Sequence, residues 1–449
     1  MNSPSQRRHL NQAELHVQAG RTKRAIAIYQ QVLRQDPGCI DASFALAGLL
    51  HDAGEFEAAA RRLRELLKYR PELAEVHFNL GTVLNSPEQR DEAIAAFQRA
   101  IELRPDFADA HNNLGIVYRE LGQLEEAMSC FERAVFHAPK SLAALLNYSA
   151  ALLKCQRIDD AVEICRKAHE YHPESADAHY ALGISLERAK LTDEALSHLS
   201  EAVRLRPDAT EWRYHLAACQ GSAAAVPATA PVAYVTSLFD AYAARFDEHL
   251  VSNLQYRTPQ HLWAAVQELR RDSFERTLDL GCGTGLCGEV FKTIAGRLIG
   301  VDLSSEMITV ARRRNIYEEL HVGGIVEFLA DQKSVSDLVL AADVFVYVGD
   351  LSETFRRVSS ALIPAGLFAF SVEANSGDTW SLGPTRRYSH GLPYLKQLAA
   401  LHDFAEKIVR PVVLRVDSAE DVHGLVVVLE KLSDSLGFSA PSVPEAAVQ

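Results

Sequence analysis

Apolar residues in the first half of the chain recur every 34 residues. Ala25, Ala59, Ala93, Ala127, Ala161 and Ala195 form one column, and Tyr29, Leu63, Phe97, Phe131, Cys165 and Leu199 the next. Pro37, Pro71, Pro105, Pro139, Pro173 and Pro207 keep the same register. A period of this length, with helical spacing inside each unit, predicts a helix-turn-helix pair stacked into a solenoid. Units begin near Gln6, Ile40, Ala74, Ala108, Leu142 and Ala176. In the fourth, Leu114, Tyr118, Ala127, Phe131 and Ala134 fall at helical spacing over two short helices. Gly115 stands where those helices must approach closely, and Gly122 stands at the turn between them. Pro139 closes the second helix, because its ring carries no N–H.

Six units in unbroken register over about residues 6–209 resemble the tetratricopeptide repeat. The segment 211–219 (EWRYHLAAC) is predicted to be a capping helix, ending an all-α domain over 1–219. The resemblance implies a concave surface lined by the first helix of each pair. Asn79, Asn113 and Asn147 form a column there, and an amide offers both a donor and an acceptor. Such a ladder could grip a protein or peptide through its backbone, or simply be a packing feature of the repeat. Residues 220–232 (beginning QGSAAAVPATAP) are rich in Ala and Pro and are predicted to be a linker. The end, 433–449, is predicted to be a disordered tail.

The second half, 233–432, changes period. Arg276 opens the run RTLDLGCGTGLCGEVFK: a short apolar strand, a glycine-rich turn and a helix. A second strand ends at Asp302, a fourth strand (337–343) ends at Asp343, and 366–372 form a fifth. Two alternating segments, 407–415 and 424–430, predict a terminal antiparallel hairpin. Strands alternating with helices predict a doubly wound α/β sheet, with ligand at the carboxyl ends of the strands. Gly283, Gly285 and Gly288 satisfy GxGxxG, the dinucleotide fingerprint, but that match is weak by itself. Asp279 decides against it: a carboxylate there would repel a pyrophosphate and suit a cation such as the ammonium of a methionine moiety. Asp302, 23 residues later, stands where a carboxylate can accept both ribose hydroxyls.

D-x-G-x-G-x-G followed by VD resembles the class I S-adenosylmethionine-dependent methyltransferases, with a mostly parallel seven-stranded sheet. With the segments AYVTSLFDAYAARFDEHLVSNLQYRTP, AADVFVYVGDL and RRYSHGLPYLKQLA, nearly the whole chain resembles bacterial predicted methyltransferases that carry tetratricopeptide repeats. The resemblance implies S-adenosylmethionine as cofactor, held by Asp279, Gly281, Cys282, Gly283, Gly285, Asp302, Leu303, Met307 and Asp343. Phe239, Tyr242 and Phe246 share one face of a predicted helix that either lids the cofactor or packs as core. An acid is usual after the third strand, near the adenine; HVGGIVEFL offers Gly323 and Gly324 instead, which leaves three readings: weaker adenine recognition, Gln332 as a substitute, or a loop that has drifted.

The acceptor is less legible. Methyl transfer mainly needs alignment and exclusion of water, and needs a base only if the nucleophile arrives protonated. His390, with Tyr388 beside it, is the candidate base, and Tyr242 the third candidate catalytic residue. The fourth strand ends AADV and not Asn/Asp-Pro-Pro-Tyr, which argues against adenine and amide acceptors. A protein or peptide substrate recruited by the repeats is the leading expectation. The alternatives are a small-molecule or glycan methyltransferase with repeats for assembly, and an adaptor without turnover.

Bulk properties narrow the partners. The net charge of −13 argues against a nucleic-acid surface, while leaving room for a local basic patch. The seven cysteines are scattered and never spaced as CxxC, so no metal site or disulfide framework is predicted and a cytoplasmic location is the default. No apolar run approaches the ~20 residues of a membrane span. Oligomeric state leaves no mark on the sequence.

Overall fold

The computed structural model describes residues 3–84, 87–221, 226–417 and 420–433. The predicted tail, Ser433 apart, and residues 222–225 of the predicted linker lie outside that range. The chain divides into two compact units, 1–206 and 207–449.

The first unit is the all-α solenoid. The second helix of each pair starts at Thr22, Phe56, Arg90, Leu124, Ile158 and Thr192, so the period survives into the backbone. The alanine column is buried to 1% exposure or less throughout, since only a methyl group fits between the paired helices. Glycine is used where even that is too much. A Cβ on Gly115 would stand 2.7 Å from the Phe131 ring, and one on Gly81 2.8 Å from the Phe97 ring.

The second unit is built on one nine-stranded sheet: β1 Phe274–Leu280, β2 Ala295–Asp302, β3 Glu319–Val322, β4 Ser336–Ala341, β5 Leu362–Asn375, β6 Trp380–Leu382, β7 Tyr388–Gly391, β8 Phe404–Asp417 and β9 Glu420–Lys431. The order β3-β2-β1-β4-β5 is parallel; β9 pairs antiparallel with β5, and β8 with β9. That is the seven-stranded sheet expected, extended by the short β7-β6 ribbon on the carboxyl end of β5. Both faces are buried, and successive side chains serve opposite cores. Val339, Ala341, Phe368 and Phe370 face one, while Leu338, Leu340, Leu367 and Ala369 face the other.

Three expectations need correction. The helix Thr210–Gln220, predicted to cap the solenoid, belongs to the second unit: Tyr214 is fully buried, its hydroxyl donates to the Arg386 carbonyl at 2.5 Å, and its ring lies 6.1 Å from that of Tyr388. Beyond it, 226–231 is no free linker. Ala230 N–H donates to Tyr347 O, Gly349 and Asp350 N–H both donate to Ala228 O, and Thr229 bridges Val348. Its small side chains let the backbone lie close against that loop. The single helix predicted through Phe246 stops at Asp240 and resumes as short turns over 243–253.

Candidate active site

The carboxyl ends of β1, β2 and β4 open into a cavity of about 640 Å³, within the range of small-molecule sites. Its floor is the glycine turn after β1. Gly281, Gly283 and Gly285 take φ of +63°, +54° and +93°, a left-handed sequence that side chains resist. Gly281 has a second reason to be glycine, since a Cβ there would stand 2.5 Å from Val344. Gly281, Cys282, Gly283 and Thr284 line the cavity; Gly285 does not, and shapes the turn from behind.

Asp302, ending β2, faces the same space. Its two oxygens accept from Gly283 N–H and Ser304 N–H, each at 2.9 Å, which fixes the carboxylate plane while leaving lone pairs for a ligand. Burial, reinforced by nearby Asp240, pushes its pKa up against those two hydrogen bonds. Leu303, Met307 and Asp343 also line the cavity, as the sequence suggested.

Asp279 behaves differently. It is 1% exposed, does not line the cavity, and accepts from the Tyr317 hydroxyl at 2.7 Å. Burial raises its pKa to about 7. Direct contact with a ligand ammonium is therefore not what this geometry offers. Asp279 holds Tyr317 behind the glycine turn, where that ring closes on Gly285 and Gly288.

The proposed base is also relocated. His390 is wholly buried on β7 and does not line the cavity. Its Nε2–H lies 3.0 Å from both Val348 O and Gly349 O, and burial drives its pKa down to about 4. Tyr388 is equally buried and donates to Pro227 O at 2.6 Å. The strand that carries them pins the loop after β4 from behind, so neither is placed to touch an acceptor. Gln332 is likewise occupied elsewhere, accepting from Arg276 at 3.0 Å.

Tyr242 does line the cavity, and its hydroxyl is hydrogen-bonded to Nδ1 of His249, another lining residue. Phe239, Tyr242 and Phe246 stack edge-to-face with centroids 5.3–5.9 Å apart, and Phe246 lies over Gly283. They form a lid held down at both ends. Asp240 accepts from Ser304 Oγ at 2.5 Å, and Asp247 bonds Thr284 and Arg314.

Several lining residues escaped the sequence. Glu327 folds its carboxylate back to within 2.0 Å of where a Gly324 Cβ would stand. A carboxylate thus comes from the helix that follows β3, and a side chain at 324 would have to displace it. Arg415, 2% exposed, donates to Asp343 at 2.8 Å and bonds Glu373, while Arg387 lies 3.5 Å from Asp417 and 3.9 Å from Glu373. Strict alternation along β8 would turn Arg415 away from its buried neighbour Leu414; the register shift between Val413 and Arg415 brings both inside.

In the solenoid, the asparagine column is partly self-satisfied. Asn147 donates to Asn112 at 3.0 Å and accepts from Arg119 at 3.2 Å, while Asn112 donates to Asn113 at 3.2 Å. Among the described residues, no helix is long and apolar enough to cross a membrane.

A methyltransferase-domain family model matches residues 278–370. Tetratricopeptide-repeat models match 16–80, 152–219 and 108–141, and a further TPR model matches 88–122. The ubiquinone biosynthesis O-methyltransferase of Idiomarina loihiensis is 30% identical over 113 residues, 24% of this chain and 46% of that protein. The malonyl-[acyl-carrier protein] O-methyltransferase of Halalkalibacterium halodurans is 33% identical over 133 residues, 27% and 49%. The chain thus spans about half the length of these curated relatives. Among solved structures, the MamA protein aligns with 38% of this chain and 93% of its own at 26% identity and a TM-score of 0.34. YrrB, described as a TPR protein with an unusual peptide-binding site, aligns with 40% and 93% at 23% identity and a TM-score of 0.34. By these family models, the chain joins tetratricopeptide repeats to a methyltransferase domain.

Proposed function

We propose that this tetratricopeptide-repeat methyltransferase uses S-adenosylmethionine to methylate an oxygen acceptor, with the repeats holding a protein or peptide partner. The observation that supports this most is the cavity itself. It combines a left-handed glycine cradle, a carboxylate with oriented lone pairs, and a tyrosine–histidine pair in the aromatic lid over the turn.

The residues fit the cofactor. Asp302 would accept the ribose hydroxyls, Glu327 would face the adenine amino group, and Leu303 and Met307 would supply the apolar wall beside the adenine. The turn from Gly281 to Thr284 lets a chain of methionine size approach the backbone. S-adenosylmethionine supplies an electrophilic methyl group on a sulfonium. The protein's share is alignment and dryness: Phe239, Tyr242 and Phe246 cover the turn, and Asp240 and Asp247 tether that cover.

The charged cluster at the lining favours a neutral hydroxyl over a carboxylate acceptor. Two guanidiniums, Arg387 and Arg415, face three carboxylates, Asp343, Glu373 and Asp417, so the cluster carries no positive excess to attract an anion. A hydroxyl must lose its proton, and His249, oriented by Tyr242, replaces His390 as the base. The curated relatives named above are O-methyltransferases, which agrees with an oxygen acceptor.

Calorimetric titration of S-adenosylmethionine tests the cofactor. Asp302→Ala removes the acceptor of two charge-assisted hydrogen bonds, so affinity should fall roughly 100-fold. Absence of binding to the wild type would end the enzyme reading. Labelled-methyl transfer to hydroxyl-bearing acceptors then separates roles: His249→Ala should lower kcat while leaving cofactor affinity unchanged. Equal turnover would return the base to another residue.

A further inference from the structure

The internal repeats of the solenoid act as their own control, because each position has five copies elsewhere in the chain. Two copies stand out. His169 occupies a column otherwise filled by Leu33, Leu67, Ile101, Val135 and Val203. His198 occupies one otherwise filled by Ile28, Arg62, Ala96, Cys130 and Ile164. Both departures fall around the same point, the buried His179.

His179 itself is a repeat feature. Its Nε2 lies 3.0 Å from the Pro173 carbonyl, as His111 Nε2 does from Pro105, and His77 Nε2 lies 2.9 Å from Pro71. That bond places the proton on Nε2 and leaves Nδ1 as a bare lone pair. A carbonyl that orients an imidazole in this way is the support that metal-ligating histidines normally have. In the sixth repeat, His179 Nδ1 faces His198 Nδ1 at 3.0 Å, and His169 keeps a buried Nδ1 with no hydrogen-bond partner. One ring nitrogen from each residue lies within 4.8 Å of the other two.

We propose that His169, His179 and His198 form a binding site for one late first-row divalent metal ion, of the zinc, nickel or copper(II) class. Three imidazoles and no thiolate or carboxylate select such ions over calcium or magnesium. Three nitrogens on a common zinc ion at ~2.0–2.1 Å sit roughly 3.3 Å apart, so a pair at the 4.8 Å limit must close by about 1.5 Å, within side-chain adjustment. Burial and mutual proximity push the pKa values of His169 and His198 down, which keeps their lone pairs available at neutral pH. The ligands come from the second helix of the fifth repeat and from both helices of the sixth. A bound ion would clip the two repeats together and keep a coordination position for water or a further ligand.

The test uses the untagged full chain, stripped with chelator and titrated with Zn²⁺ against a competing indicator at pH 7.5. Expected is one ion per chain with a Kd of about 1 µM or tighter. The double variant His169→Val, His198→Ile restores residues that other repeats carry, so it should stay folded by circular dichroism and lose at least about 100-fold in affinity. Equal stoichiometric binding by the double variant would overturn the site, as would no one-to-one binding by the wild type. A second readout needs no variant: Zn²⁺ should protect His169 and His198 from diethylpyrocarbonate, and modification that ignores Zn²⁺ would overturn the proposal.

Discussion

In the solenoid the main buried columns repeat every 34 residues, whereas in the methyltransferase unit each buried side chain has one set of neighbours and no copy. Phe131 fills the gap beneath Gly115, and Phe97 does the same beneath Gly81. Phe368 instead belongs to one cluster, within 4.5–6.2 Å of Phe345, Phe355, Phe370 and Phe404. Repetition makes stability a sum over neighbours, while a unique core makes it a property of the whole. The same contrast explains where chemistry can be seen. A functional change in a repeat is a departure from its own column, as at His169 and His198. In the α/β unit it has to be recognised from geometry.

The largest effects should come from breaking each packing scheme. Phe131→Ala and Phe368→Ala should each cost ~3–5 kcal/mol by denaturant titration. Hydrogen exchange should distinguish them. Loss of protection should stay within the repeats next to Phe131, but spread over the whole sheet for Phe368. Equal spreading in both would abolish the distinction.

Next comes pH. His390 has its pKa lowered from 6.5 to about 4, so the unfolded state binds a proton that the folded unit refuses. Stability from this group is complete above pH 6.5 and is lost as pH falls towards 4, about 3 kcal/mol in all. Asp279 has the opposite sign. Its pKa is raised from 3.8 to about 7, so its burial destabilises progressively as pH climbs through that window. Asp279→Asn should therefore gain most, relative to wild type, above pH 7, and His390→Gln should flatten the acid limb. Thermal midpoints measured from pH 4 to 8 would show whether both slopes exist.

The smallest effect sharpens the comparison from the surface. Arg64–Glu92 and Arg166–Glu194 are the same inter-repeat ion pair, 102 residues apart, as are Arg104–Glu75 and Arg206–Asp177. Exposure limits such pairs, so Arg64→Ala should change stability by less than about 1 kcal/mol. A shift of several kcal/mol in the same titration would show that the repeats depend on more than their buried columns.

The sequence by itself determined whatever depends on local periodicity. The 34-residue register set the even spacing of the second helices in the solenoid, and the glycine turn with Asp302 set one wall of the cavity, because the turn, strand and helix are contiguous in the chain. Tertiary structure alone decided which side chains meet across distance. His390 looked like a base but is sealed under Val348 and Gly349. Asp279 looked like a ligand contact but is covered by Tyr317, 38 residues on. Arg415 enters the cavity through a strand irregularity that period-two reading misses, and the Glu327 carboxylate reaches it by folding back over a glycine. Periodicity says which face of an element is buried. What that face touches depends on how elements far apart in sequence pack, and the burial and pairing of a titratable group decide its chemistry.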